Sequence, residues 1–174
     1  KLEGRIPISE IILFRGLISL IITRLQLKQK KINPWGKNKK LLLLRGILGT
    51  TALYCVFRAL GNLPIASATV IQYSYPTFTA LGAWALLKEK LSIKTWLAII
   101  VGWIGICLVV QPELQKTISF KFSIEEILVA LSGAIFTSMA YICVKELSKE
   151  ENQLVIIYYF PFVSTLIMIP VLWG

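Results

Sequence analysis

Residues 41–87 read LLLLRGILGTTALYCVFRALGNLPIASATVIQYSYPTFTALGAWALL. Two apolar runs, each with the ~20 residues that a helix needs to cross about 30 Å of hydrocarbon, are separated here by GNLP at 61–64. Gly61, Asn62 and Pro64 are typical of a tight turn, and this turn carries no charge. The stretch therefore predicts two consecutive membrane-spanning helices, at 41–60 and 65–87.

The rest of the chain has the same apolar character. Of its 174 residues, 56% are hydrophobic and 16% are charged, whereas soluble domains have about 45–50% apolar and about 25% charged residues. Charges and turn residues divide the sequence into six apolar helices, so it predicts an all-α membrane protein, a polytopic transmembrane helix bundle. The predicted helices are 8–26, 41–60, 65–87, 94–111, 126–144 and 153–173.

The net charge of +10 could indicate a nucleic-acid partner, but the position of the basic residues indicates membrane topology. Residues 24–40 contain seven Lys and Arg and no acid. If successive loops alternate between two sides, the side with 24–40 carries twelve basic residues and the other side carries four. Cytoplasmic loops have such an excess. We therefore expect a cytoplasmic loop at 24–40, a lipid bilayer around the helices and no nucleic-acid partner.

The residue types that the sequence lacks argue against catalysis. It contains no His and no Asp, which removes serine–histidine hydrolysis and Asp-based metal sites from this portion of the chain. Cys55, Cys107 and Cys143 all fall within apolar helices without metal-like spacing. We expect no enzyme, no metal and no cofactor, and we interpret the cysteines as packing residues.

The predicted helix 65–87 has one polar face. Thr69, Gln72, Tyr73 and Pro76 recur at helical spacing, and Pro76 has no amide hydrogen to donate to the carbonyl of Gln72. Because that carbonyl needs a protein or water partner within lipid, the face should point into the bundle. Lining a substrate cavity is the favoured interpretation, and polar packing alone is the alternative.

The predicted helix 94–111 carries small residues at a spacing that favours close helix contact. They are Ala98, Gly102 and Gly105. We expect this strip to be a packing surface and not a ligand site.

Three arginines lie within predicted spans. Arg15 is about 13 Å from Arg24 at 1.5 Å per residue, and a charge at that depth costs about 2.5–3.5 kcal/mol. It either binds backbone carbonyls or another helix, or faces a cavity and attracts a carboxylate or phosphate. Arg45 lies near a helix end, so a structural role with its side chain reaching the membrane surface is favoured. Arg58 shares a helix face with Tyr54 and reaches either headgroups or a cavity mouth.

Several short motifs occur in an order that is typical of one family. They are PISEIILFRGLIS at 7–19, Arg45-Gly46 followed by Gly49, LPIASAT at 63–69, Pro76, Glu89 after LLK, and the glycines of helix 94–111. In this order and spacing, over about 110 residues, the chain resembles the EamA-type transporters of the drug/metabolite transporter superfamily.

The resemblance implies ten helices built from two five-helix repeats of opposite orientation. On that scheme the sequence is an internal piece: 1–114 is a first repeat lacking its first helix, and 115–174 is the start of the second repeat, with two helices. A short internal match supports the scheme, since IILFRGLIS at 11–19 aligns with IIYYFPFVS at 156–164.

The resemblance also implies a secondary transporter, and an exporter in particular, that moves small polar metabolites across the cell (inner or plasma) membrane by alternating access. An arginine in the cavity would favour an anionic substrate. We leave a homodimer open. The alternative is a noncatalytic membrane scaffold or a channel subunit, whose helix 65–87 would not be reached by water. The candidate cavity residues are Arg15, Tyr54, Arg58, Thr69, Gln72, Tyr73 and Pro76.

Overall fold

The computed structural model of the protein describes residues 7–88, 92–117 and 124–173. Within these ranges the secondary structure consists of α-helices without strands, which confirms the predicted all-α bundle. Three of them, over Lys39–Asn62, Ile124–Leu147 and Gln153–Pro170, have the length and apolar composition needed to cross a membrane. The helices are α1 (Ile8–Gln29), α2 (Lys39–Asn62), α3 (Ile65–Gln72), α4 (Tyr75–Leu87), α5 (Ile93–Thr117), α6 (Ile124–Leu147) and α7 (Gln153–Trp173).

The predicted single helix at 65–87 is wrong, because the chain forms two helices there with an interruption at Tyr73–Ser74. Pro76 cannot donate to the carbonyl of Gln72, and its ring disfavours a continuous helix through this point. At the interruption, the Ser74 amide donates to the carbonyl of Ile71, three residues back, at 3.1 Å.

Most predicted helix ends were placed too early. The prediction ended α1 at residue 26 and α5 at 111. Lys, Gln and Glu are good helix formers, and these helices continue to Gln29 and Thr117. The end of α1 is set by backbone geometry: Lys31 has φ +52°, and the Ile32 amide donates to the carbonyl of Leu27. This is the hydrogen-bonding pattern that closes many helices.

Two antiparallel helix pairs form the centre of the bundle. One pair is α2 with α6, where a side chain at Gly133 would approach the Cβ of Cys55 to 3.1 Å. The other pair is α1 with α7, where a side chain at Gly16 would lie 3.0 Å from the hydroxyl of Ser164. Glycine at these crossings allows the close approach that membrane helices use for packing.

The two ends of the bundle differ in chemistry. At one end, called the basic end, the connections 30–38 and 148–152 cover a core that includes Leu27, Leu42 and Val155. At the other, called the acidic end, Arg58 of α2 forms ion pairs with Glu125 and Glu126 of α6, at 2.7 and 3.3 Å.

A buried carboxylate connects the two loops at the basic end. Glu151 is 8% exposed and accepts hydrogen bonds from the amides of Lys37 and Asn38, the second at 2.6 Å. Gly36 has φ +59°, and a side chain there would meet Leu42 at 2.6 Å. We call these contacts the Glu151 clamp. These contacts hold the residues just before α2 against the residues just before α7.

Helix α5 lies at the periphery of the described chain. Its Trp103 indole donates to the hydroxyl of Thr77 on α4 at 2.8 Å. A side chain added at Gly102 or Gly105 would meet no atom of the described residues within 4 Å. The packing surface predicted on this helix has no partner among the described helices, and it stays a prediction for the complete protein.

Candidate substrate site

The interruption between α3 and α4 is the centre of the candidate site. Ser74 is buried, and its hydroxyl donates to the carbonyl of Ile71 at 2.6 Å. Tyr73 is 58% exposed. Irregular backbone at membrane depth occurs where it is covered by protein or lines a cavity. One cavity lies on each side of this interruption.

The first cavity, called the Gln72 cavity, extends from the interruption toward the acidic end. Its volume is about 200 Å³. The side-chain amide nitrogen of Gln72 donates to the hydroxyl of Thr137 on α6 at 3.1 Å, while its amide oxygen is buried and has no partner among the described residues. An unpaired buried acceptor is available to a ligand donor or a water. The lining residues are Val56, Ala59, Leu60, Ala68, Thr69, Gln72, Tyr73 and Ala130.

The second cavity, called the tyrosine cavity, extends from the interruption toward the basic end. It has a volume of about 500 Å³ and is formed by α4, α6 and the start of α5. The rings of Tyr75 and Tyr141 stack at 5.3 Å between centroids and 15° between planes. Pro76, Thr79 and Lys145 also contribute to its wall. The cavity thus combines aromatic surface, hydroxyl groups and a positive charge.

The structure brings four of the seven predicted residues to the two cavities. Thr69, Gln72 and Tyr73 line the Gln72 cavity together, and Pro76 lines the tyrosine cavity. The hydroxyl of Thr69 donates to the carbonyl of Ile65 at 2.5 Å, so its oxygen retains acceptor capacity.

The other three predicted residues lie elsewhere. Tyr54 is 40% exposed on α2, and Arg58 binds the two glutamates at the acidic end. Arg15 is exposed on α1 and makes no hydrogen bond or ion pair with the described residues. None of the three lines either cavity.

Sequence reasoning missed the enclosed arginine. The guanidinium of Arg45 does not reach toward the basic end, and lies 4.8 Å from the ring centroid of Phe160 on α7. Its Nε and Nη1 atoms are buried without a hydrogen-bond partner in the described ranges. The sequence feature that could have indicated this enclosure is Gly49, one turn along α2. In the structure a side chain at this position would meet Phe160 at 2.9 Å.

Metal chemistry finds no support in the described part of the chain. No three His, Cys, Asp or Glu side chains there are grouped so that they could hold a metal ion. Glu89, which belongs to the motifs quoted above, lies outside the described residues.

The comparison with known families decides the classification. The model of the EamA-like transporter family matches residues 2–111. The chain belongs to this family. No solved structure matches it.

Similar proteins from bacteria, humans and yeast carry transporter names. The chain is 28% identical over 174 residues to the pseudopaline exporter CntI of Pseudomonas aeruginosa, covering 99% of the chain and 59% of that protein. It is 29% identical over 161 residues to human solute carrier family 35 member G1, covering 87% of the chain and 44% of that protein. It is 25% identical over 187 residues to the probable transport protein YPL264C of Saccharomyces cerevisiae, covering 95% of the chain and 53% of that protein.

Proposed function

We propose that the complete protein is a secondary transporter that exports a small polar metabolite by alternating access. The proposal rests on one structural observation, the interrupted helix α3–α4 with a cavity on each side. Secondary transporters bind substrates at discontinuous helices near the middle of the membrane. The chain belongs to a transporter family but spans only 59% of the length of the exporter CntI, so the activity is proposed for the complete protein.

Contacts between α1 and α7 support two repeats of opposite orientation, 1–114 and 115–174. The alignment of 11–19 with 156–164 pairs Gly16 with Pro161. A side chain at Gly16 would lie 3.7 Å from the carbonyl oxygen of Pro161. Two repeats related by a twofold axis in the membrane plane bring equivalent residues together near that axis. On this division, the first repeat ends within the last turn of α5.

We propose that the basic end lies in the cytoplasm and that the protein is placed in the cell membrane. The twelve-to-four distribution of basic residues supports this orientation through the positive-inside rule. The tyrosine cavity would then open toward the cytoplasm and the Gln72 cavity toward the outside. An exported metabolite would enter at Tyr75 and Tyr141 and leave past Gln72.

Within this function, Gln72 is our first candidate for direct contact with the substrate, because its amide oxygen is buried and unpaired. Thr69 and Tyr73 share its cavity. Arg15 remains a candidate for an anionic substrate group. Its exposed side chain would need to be covered by parts of the complete protein outside the described residues.

Accessibility of single cysteines tests the proposal. Cys55, Cys107 and Cys143 are replaced by Ser in the complete protein, and Thr69→Cys or Gln72→Cys is added. A membrane-impermeant thiol reagent is applied to right-side-out and to inverted vesicles. We expect both positions to react from both sides, because a transport site is exposed to each side in turn.

The control is Ala134→Cys, a residue of α6 that is fully buried in helix packing. It should react from neither side. If the cysteines at 69 and 72 behave like the control, the polar face serves packing and the protein is a scaffold. If they react from one side only, the alternating-access mechanism is wrong.

A further inference from the structure

Arg45 lies where the two proposed repeats meet. Its helix, α2, belongs to the first repeat, and Phe160 on α7 belongs to the second. The guanidinium carbon is 4.8 Å from the centroid of the Phe160 ring, within the range of a cation–π contact. This contact uses one face of the guanidinium plane and leaves its edge, where the N–H groups point, for other partners.

Those edge donors are not satisfied by the protein. Nε and Nη1 are both buried, and neither has a hydrogen-bond partner among the described residues. Arg45 also forms no ion pair with a described residue. Arg45 as a whole is half-buried, but burying two donors without a partner carries a desolvation penalty. An anion or ordered water at this position would remove the penalty.

Glycines on α2 create the space in which the arginine and the phenylalanine meet. A side chain at Gly49 would lie 2.9 Å from the Phe160 ring and 3.5 Å from Nη1 of Arg45. One at Gly46 would lie 2.6 Å from Val163. The motif Arg45-Gly46 followed by Gly49 therefore allows α2 to approach α7 and holds the guanidinium inside the bundle.

The neighbouring groups on α6 connect this charge to a cavity. Tyr141 and Cys143 of α6 lie near Arg45 across the contact between α2 and α6, and neither carries a negative charge at neutral pH. Tyr141 is half exposed and forms part of the wall of the tyrosine cavity. Arg45 itself does not line either cavity, but its proximity to Tyr141 places its positive charge beside the wall of the cavity that we assign to substrate entry.

We propose that Arg45 is the residue that recognises an anionic group of the substrate, a carboxylate or a phosphate, at the interface of the two repeats. This assignment rests on the proposed transport function. The planar guanidinium presents parallel N–H donors that match such anions in a bidentate manner, which the ammonium group of lysine cannot do.

The test measures the electrostatic potential at Tyr141 without requiring a known substrate. In the complete protein with its other cysteines replaced, Tyr141→Cys is treated with an anionic and a cationic methanethiosulfonate reagent. We expect the anionic reagent to react faster. The ratio of the two rates should fall by about tenfold or more in Arg45→Gln, because a nearby unit charge in a partly desolvated site acts strongly on charged reagents. Arg45→Lys should retain most of the ratio.

The matched control is Arg24→Gln. Arg24 also lies over an aromatic ring of α7, Tyr158, at 5.9 Å, but it is exposed at the basic end. Its removal should leave the ratio unchanged. If Arg45→Gln leaves the ratio as in the parent, or if neither Arg45 variant accumulates in the membrane, the arginine is structural and the assignment is wrong.

A second measurement links Arg45 to the substrate. Mass spectrometry of the medium compares cells producing the parent, Arg45→Gln and Arg45→Lys. We expect anionic metabolites released by the parent to be absent from Arg45→Gln and partly restored in Arg45→Lys. Equal release by the parent and by cells without the protein would count against the transport function, while the reagent ratio would still decide the role of Arg45.

Discussion

Removal of the Glu151 carboxylate should loosen the basic end of the bundle. Glu151 is 8% exposed and accepts hydrogen bonds from two consecutive backbone amides, those of Lys37 and Asn38. Both amides precede the first turn of α2, where N–H groups have no partner within the helix. Glu151→Ala would leave these donors without their acceptor and would open the Glu151 clamp.

The expected loss of stability follows from the number and type of these bonds. A hydrogen bond to a charged group contributes about 1.5–3 kcal/mol, and a negative charge at a helix start adds about 0.3–1 kcal/mol. Both bonds use the same carboxylate oxygen, and water can reach a loop after the change, so their effects should not add fully. We expect Glu151→Ala to lower the free energy of unfolding by about 2–3 kcal/mol. Glu151→Gln should cost about 1 kcal/mol, because it keeps an acceptor oxygen and loses the charge.

Equilibrium unfolding of the complete protein in dodecylmaltoside micelles with increasing sodium dodecyl sulfate measures these differences. The control is Glu150→Ala, since Glu150 is the exposed acidic neighbour in the same turn and such surface changes usually stay within about 0.5 kcal/mol. An unfolding midpoint for Glu151→Ala equal to that of Glu150→Ala would refute the clamp. If Glu151→Ala and Glu151→Gln lower the free energy of unfolding equally, hydrogen-bond acceptance by residue 151 is not what stabilises the clamp.

Three further outcomes are expected. Gly36→Ala should destabilise the complete protein by about 1–3 kcal/mol in the same titration, because Gly36 has φ +59° and the new side chain would meet Leu42. The control, Gly61→Ala, should be neutral or slightly stabilising, because a side chain there would meet no described atom within 4 Å. A topology reporter inserted at 30–38 should read cytoplasmic and one at 118–123 should read external, and the reverse would overturn the proposed orientation. Arg15→Gln tests whether parts of the complete protein cover the open face of α1 and make Arg15 a second anion contact. In that case the variant should insert normally but release substrate about thirtyfold or more slowly, with partial recovery in Arg15→Lys. Release at the parent rate would exclude Arg15 as a substrate ligand and leave the role with Arg45.

The sequence was sufficient to predict five of the six apolar helices as single helices, because apolar length and turn chemistry are local properties. The turn at 61–64 separates α2 from α3 as predicted, and Pro76 correctly marked a disturbed helix. The interruption was not predicted because proline alone allows either a kink or a break. The side chain of Ser74, which donates to the carbonyl of Ile71, stabilises the broken form.

The sharing of one helix face by Thr69, Gln72 and Tyr73 was also predictable, and these three residues do lie together. The residues that these side chains contact across the cavity were not predictable from the sequence. Thr137, which accepts from Gln72, is 65 residues away in the sequence. The Glu151 clamp joins residues more than 110 positions apart. Contacts of this kind depend on how α6 and α7 pack, and a periodic pattern within one helix carries no information about them.

The two arginines show why depth along a helix does not predict enclosure. Arg15 is deeper by residue count, yet its neighbour Gly16 packs on α7, and Arg15 points about 100° away from Gly16 because a helix has 3.6 residues per turn. Arg45 is nearer to a helix end, yet Gly46 and Gly49 bring α7 so close that the guanidinium lies over Phe160 with buried donors. Whether a charge is enclosed depends on the residues beside it that allow another helix to approach. For this reason the anion-recognising role falls on Arg45 in the described bundle, and a role for Arg15 depends on parts of the complete protein covering the open face of α1.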